Sequence, residues 1–496
     1  MELRDQLAPG VVSAGLQQFG VLPMWLEAAD QPERVQRELA RSIPACAAGE
    51  LTLEDCKVKR LRFKAETRCW TGSYHVTVAG PQPGQRRVVV LRGTIIPPGV
   101  DAPAAAGAAT AFGEPGWRTY LPDLRLDLQV EPEETELSML PSLTDPDQAQ
   151  ALLEESIGSG PGAYSDIRIA AATPRVVRYH PSSRCTILYH LDYPANLAAE
   201  RRGPDLVVAK TYNDDTGQNA YAAMRALWDS PLATSDTVSI AEPLAYLPNL
   251  KVLVQGPIRE EQTLKDLTQC ALRSRTPEAM VVLRDYLRKT AVGLAELHRS
   301  GVRCGTTWRW TDELATVREQ LAQLARVVPQ LAEVEATLAA PLLERLEALA
   351  RAYPVDPPVP AHGTFRSVQV LLYQGEIGFV DFDGFCQAEP AMDVALFLAT
   401  LKDRGMRALF CKGKSKDAAL DPATCQARLA QLEELGEVFL AHYERHAPVS
   451  RQRVALWEAC NLFTQLLNSW VRVKPIRVIH IRLMMLERHG RAMGWW

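Results

Sequence analysis

The sequence predicts an α+β protein on three observations. Two blocks of alternating, β-branched residues stand in the first half of the chain, at residues 57–95 and 175–211. From Pro277 onward the apolar residues recur mostly at helical spacing. Inside that helical half lies a ribbon pattern, residues 361–393, whose second strand delivers two aspartates.

At 496 residues the chain is longer than one average domain, so about two or three units are expected. Hydrophobic content of 47% with 23% charged residues suits a soluble globular protein. A net charge of −4 argues against nucleic acid as a partner, because such binding needs a basic face. No apolar run is long enough to span a bilayer, and MELRDQLAPG lacks the core of a secretory signal. No membrane insertion and cytoplasmic residence are therefore the expectation. Ten cysteines occur without a CxxC pair, which favours buried, reduced thiols over a zinc ribbon or a disulfide framework.

Residues 32–43 (PERVQRELARSI) have the pattern of an amphipathic helix. The period then changes to antiparallel strands in KVKRLRFKAETRCW, SYHVTVAG and RRVVVLRGTI, separated by Pro/Gly turns. Residues 97–116 are rich in Pro, Gly and Ala and read as a flexible connector; Leu121 to Pro146 is acidic and reads as an extended surface segment. The second β block runs from Arg175 through LVVAKTY. Its Tyr179–Cys185 aligns without a gap on Phe63–Cys69 of the first block, and each segment is followed by a Tyr-His pair. Each block also ends on a strand carrying a cation, Arg92 and Lys210. Internal duplication of one β unit is the expectation. Further on, Pro277–Ser300 reads as a strong helix with Gly301 just past its end, and residues 312–353 as a helical insertion.

The ribbon itself is Val370-Leu371-Leu372, a turn over Tyr373-Gln374-Gly375-Glu376, and a strand from Ile377 to Val380. Asp381 and Asp383 follow. Carboxylates at a ribbon tip supply the hard oxygen ligands that Mg²⁺ takes alongside substrate phosphates. The plainer alternative for each is a solvated or structural carboxylate.

This stretch resembles the catalytic segment of the aminoglycoside phosphotransferase and choline kinase-like family. That family's pattern is His-Gly-Asp-x-x-x-x-Asn, a hairpin, an Ile-Asp-Phe element and a later Asp. His362 and Gly363 match, Thr364 replaces the catalytic Asp, Gln369 stands for Asn, Asp381 for the metal-binding Asp, and Glu389–Asp393 for the last element. The resemblance implies a two-lobed protein-kinase-like fold with a β-rich small lobe and a mainly helical large lobe, to which the first β block adds an N-terminal β domain that duplicates the small lobe. The implied ranges are 1–96 for that domain, 97–160 for a connector, 161–256 for the small lobe and 257–496 for the large lobe.

It further implies Lys210 as the phosphate-pairing lysine, with Ser182, Ser183 and Arg184 over the phosphates and Gln255 at the adenine hinge. Gln369 and Asp381 become metal ligands. ATP and Mg²⁺ are the implied cofactors. The helix that normally offers a Glu to the lysine has only Gln218 and Asn219 at suitable places.

Thr364 decides the functional reading. A positioned general base contributes about 10²–10⁴-fold, and a threonine hydroxyl is too weak an acid–base group to replace it. The expectation is a degenerate relative that binds a nucleotide or metabolite and acts as a regulatory or scaffolding protein, with the N-terminal domain available to a protein partner. Two alternatives stay open: an active ATP-dependent kinase of an alcohol or amino-alcohol, using Asp383 or substrate-assisted proton transfer, and an interaction module with no nucleotide.

Overall fold

The computed structural model describes residues 19–495 apart from 81, 83, 103–109, 131–138, 160–163, 166, 181–183, 196–202 and 410–420. Two compact units divide these residues: 1–133 with 311–352 and 459–496, and 134–310 with 353–458. The sequence ranges divide the chain by order along it; the units divide it by packing.

The first unit is built on a five-stranded antiparallel sheet. Its strands are β1 (Thr52–Lys64), β2 (Cys69–Ala79), β3 (Arg86–Ile95), β4 (Arg118–Leu121) and β5 (Leu126–Val130), in the order β1-β2-β3-β5-β4. Alternation along β2 sends Trp70, Tyr74, Val76 and Val78 inward. The amphipathic helix Pro32–Ser42 buries Val35 and Leu39, and the Tyr74 hydroxyl donates to the carbonyl of Ala29 at 3.0 Å. The C-terminal helices join this core: Trp70 Nε1 donates to the Trp470 carbonyl at 2.9 Å, and Trp470 Nε1 to that of Phe19 at 3.2 Å. The segment read as connector and surface chain therefore contains two sheet strands. Leu126 and Leu128 are fully buried there, which an acidic, proline-punctuated stretch does not advertise.

The second unit contains β6 (Ala171–His180), β7 (Arg184–Asp192), β8 (Leu206–Thr211), β9 (Ser239–Ile240), β10 (Pro243–Leu247) and β11 (Val252–Gln255). Five of these form an antiparallel sheet in the order β6-β7-β8-β11-β10. Leu143, Leu153 and Ile157, from the helices before it, pack with Ile187, Tyr189, Val207 and Val254 into its core. Its strand order is that of the first sheet.

The strand register corrects one pairing. The alignment that lays Arg68-Cys69 on Arg184-Cys185 also lays Trp70 on Thr186. Trp70 pairs with Ile95, and Thr186 pairs with Lys210. The first sheet's counterpart of Lys210 is thus Ile95, which is fully buried, and not Arg92.

After β11 and β12 (Gln262–Thr263) the second unit becomes mainly helical. Helix Pro277–Arg299 starts on Thr276, whose hydroxyl accepts from the Ala279 amide at 3.4 Å, and buries Leu283, Leu287, Ala291 and Leu294. It is followed by Ser300 and then Gly301 at φ +74°, as its terminal pattern predicts. The ribbon lies between β13 (Val359–Ala361) and β16 (Cys386–Ala388), which pair with each other. It is β14 (Val370–Tyr373) and β15 (Glu376–Phe379), joined by Gln374 at φ +47° and Gly375 at φ +90°. Two positive φ values make the tight primed turn that matches strand twist. An α+β arrangement is thus present: a sheet, a connecting strand end, then helices around an embedded hairpin. Among the described residues no helix is long and apolar enough to cross a membrane, and nine cysteines are free thiols.

Candidate functional site

Every element of the site lies in the second unit. The end of β15 turns sharply at Asp381, which adopts left-handed backbone, φ +75° and ψ +54°. That turn aims Asp381 and Asp383 at Lys210, which β8 presents from the sheet. Lys210 Nζ donates to Asp381 Oδ1 at 2.5 Å and to Asp383 Oδ1 and Oδ2 at 2.8 and 2.7 Å. Arg184 Nη1 adds a bond to Asp383 Oδ2 at 3.2 Å.

Tyr212, two residues beyond Lys210, donates its hydroxyl to Asp383 Oδ1 at 2.7 Å. Burial, then the Asp383 carboxylate, pushes this phenol far above its ordinary range, so it remains a donor. Asp381 is pulled two ways. Burial pushes its carboxyl upward, while the Lys210 ammonium and the hydrogen bonds from Lys210 and Gln369 hold it well below the usual carboxylate range.

The second half of the site is the His-Gly turn. Gln369 is only 2% exposed. Its Nε2 donates to Asp381 Oδ2 and to Thr364 Oγ1, both at 3.1 Å. Thr364 Oγ1 lies 3.5 Å from His362 Nδ1, and His362 Nε2 lies 3.1 Å from the Val380 carbonyl. Burial keeps the imidazole neutral, lowering its pKa against the opposing charge of Asp393. The proton therefore sits on Nε2 toward Val380, which leaves Nδ1 as an acceptor facing the threonine.

Beneath the turn, Asp393 accepts from the amides of His362 and Gly363 at 2.6 and 2.9 Å. His298 Nε2 is 3.2 Å from the same carboxylate, and His298 Nδ1 is 2.6 Å from the Tyr443 hydroxyl. Glu389, at the start of the following helix, is clasped by the buried Arg453 through bonds of 2.6 and 2.5 Å.

The structure brings Lys210, Arg184, Gln369, Asp381, Asp383 and Thr364 into one connected cluster. Gln218 and Asn219 are not among the partners of Lys210, whose bonds go to the two aspartates. Gln255 ends β11 opposite Val208, with the neighbouring Gly256 amide donating to the Glu242 carbonyl at 2.7 Å. Ser182 and Ser183 lie outside the described residues, as does the basic run Lys412–Lys416. Sequence reading missed Tyr212. Its only signal was the two-residue spacing from Lys210, which places both on one face of an extended chain.

The donors fit a magnesium ion. Two carboxylates and an amide are all oxygen ligands of the kind Mg²⁺ takes, and with phosphates present it needs only one or two carboxylates. Gln369 Oε1 is buried without a protein partner. A half-turn of that amide sets this oxygen against Asp381, an approach that needs a cation between them. Among the described residues no group of three or more His, Cys, Asp or Glu is arranged to hold a metal ion.

Residues 260–414 match the model of the phosphotransferase enzyme family. Over that segment the resemblance to the phosphotransferase enzyme family is therefore shown. No curated protein sequence matches the chain. Among solved structures it is similar to a glucosamine kinase in complex with glucosamine, ADP and inorganic phosphate, at 16% identity over 91% of this chain and 98% of that one, with a TM-score of 0.44. A choline/ethanolamine kinase family protein from Mesorhizobium loti is similar at 14% identity, 69% and 94% coverage and a TM-score of 0.42. The streptomycin–ATP–APH(2″)-IIa complex is similar at 14% identity, 64% and 92% coverage and a TM-score of 0.41.

Proposed function

We propose that this protein is a degenerate phosphotransferase-family member that binds a nucleotide with Mg²⁺ and serves a regulatory or scaffolding role, efficient transfer having been lost. The observation that carries this reading is the state of the groups available as a base. At the position of the family's catalytic Asp stands a threonine whose oxygen already accepts from Gln369. The nearest alternative, Asp383, has both oxygens engaged by Lys210, with Arg184 and Tyr212 adding one bond each. No free carboxylate oxygen of Asp383 is left to take a substrate proton.

The binding half of the machinery is intact. Lys210 and Arg184 are the cations that would pair with phosphate oxygens, and Asp381 and Gln369 the residues that would hold Mg²⁺. The ion, when bound, neutralises phosphate charge. Arg184, which spends one donor on Asp383, would meet phosphate oxygens with its others, by bonds of the same charge-assisted kind.

Two measurements test this. ATP with Mg²⁺ at 100-fold over Kd stabilises the folded chain by about 2.7 kcal/mol if it binds. No thermal shift would leave the interaction-module reading. A metabolite pool incubated with ATP and Mg²⁺ should yield little phosphorylated product by mass spectrometry. A robust product that disappears in Asp381→Ala overturns the degenerate reading in favour of an active kinase. Thr364→Asp should then raise turnover by about 10²–10⁴-fold if the base is the sole missing part.

A further inference from the structure

In kinase-like sites the strand lysine is steadied by a Glu from the helix that follows it. Here that helix, Thr216–Trp228, contains no carboxylate at all. Among the described residues Lys210 instead bonds to Asp381 and Asp383, so its placement depends on what holds those two side chains.

For Asp383 the answer is Tyr212. The phenol is 2% exposed and donates to Asp383 Oδ1 at 2.7 Å. Its ring lies under both cations, 5.2 Å from Lys210 Nζ and 5.8 Å from Arg184 Cζ. The ring is itself fixed. Its own backbone amide donates to the Lys251 carbonyl at 2.9 Å. The first turn of helix Thr216–Trp228 presses on it at Gly217, where a Cβ would stand 2.4 Å from Tyr212 Cδ2. The helix that lacks the carboxylate thus lies directly against the ring that meets the lysine.

We propose that Tyr212 is a positioning residue that takes over the work of the missing helix glutamate. It fixes Asp383 by its hydroxyl and supports Lys210 and Arg184 by its ring, and through them sets the lysine where a phosphate can use it. This rests on the nucleotide-binding reading above. It identifies the residue that lets a site without a helix carboxylate still present an aligned ammonium group.

The test uses the full chain with ADP and Mg²⁺ as the probe, titrated calorimetrically. Tyr212→Phe keeps the ring and removes only the hydroxyl. It should lower the melting temperature of the unliganded protein by no more than the loss of one buried hydrogen bond, and weaken ADP·Mg²⁺ binding about tenfold, the usual effect of one hydrogen bond to a charged group. Tyr212→Leu should weaken binding further. In an Asp383→Ala background, Tyr212→Phe should cause no additional loss, because the hydroxyl acts through that carboxylate.

Wild-type affinity in Tyr212→Phe, or an equal loss with and without Asp383, overturns the proposal. If the wild-type chain itself does not bind ADP·Mg²⁺, the nucleotide reading fails. The positioning role is then judged by crystal structures of wild type and Tyr212→Phe. An Asp383 carboxylate rotated off Lys210 in the variant supports it, and an unmoved one overturns it.

Discussion

The amide of His362 donates to Asp393 Oδ2 at 2.6 Å, tying the turn that carries Thr364 to the first turn of helix Pro390–Arg407. Asp393 is fully buried, and the Gly363 amide and His298 meet the same carboxylate. Asp393→Ala therefore leaves two backbone amides and an imidazole without their acceptor. The expected loss is about 3–5 kcal/mol of unfolding free energy in urea, the range for breaking a buried polar cluster. Asp393→Asn keeps one acceptor oxygen and should lose clearly less. Equal, small losses in both variants would show that the turn does not depend on this anchor.

Gly363 sets the shape of that turn. It sits at φ +79°, and a Cβ there would stand 1.8 Å from the Gly384 carbonyl oxygen. Gly363→Ala must move backbone on one side or the other, and should cost at least about 2 kcal/mol. Gly375 in the hairpin has a similar φ of +90° but open space around it, with Lys289 Nζ the nearest atom at 3.9 Å. Gly375→Ala should cost only conformational strain, about 1 kcal/mol. Thermal or urea unfolding of the two variants side by side checks the difference, and equal losses would refute the steric argument.

Acid should destabilise the chain in two windows. Asp381 has a depressed folded pKa, burial being outweighed by Lys210 and Gln369. Its contribution is complete above the ordinary aspartate value, about 3.9, and is lost as pH falls toward the depressed folded value. His362 is also depressed, by burial. The unfolded imidazole takes a proton below about pH 6.5 while the folded one resists, so stability falls with pH from there down to its folded value. Both signs agree: the unfolded state binds more protons. Urea midpoints from about pH 7 to about pH 3 should decline throughout. Asp381→Asn should remove its share of the lower decline only, and a flat profile would contradict both assignments.

Lys210 Nζ bonds to both Asp381 and Asp383, so a metal ion held as proposed would share these carboxylates with the ammonium. Lys210→Met should weaken binding of ADP·Mg²⁺, because a phosphate partner is gone. The same change should strengthen binding of Mn²⁺ alone, on the order of tenfold, because Asp381 and Asp383 lose their competing cation. Paramagnetic resonance of free Mn²⁺ reads the second effect. Loss of both affinities together would mean that the lysine does not compete with the ion.

The sequence by itself determined what short-range backbone chemistry governs. Gln374-Gly375 between two apolar runs specified the hairpin, Pro277 and Gly301 bracketed the long helix, and strand alternation marked β1 to β3 and β6 to β8. Local φ/ψ preferences and the burial of one face leave a periodic trace that a reader can follow. The cluster of Lys210, Asp381 and Gln369 was also legible, because their spacing within a known motif stood in for geometry.

Only the tertiary structure decided which side chains meet. It set Ile95 where Arg92 had been expected, since register depends on bulges and cross-strand pairing that composition does not record. It moved strands β4 and β5 out of a presumed connector, and grouped 311–352 and 459–496 with the first sheet. It gave Lys210 two aspartates 171 and 173 residues away instead of a helix neighbour, and placed Tyr212 against one of them. Such contacts arise from packing between elements distant in the chain, and that packing has no period to be read in advance.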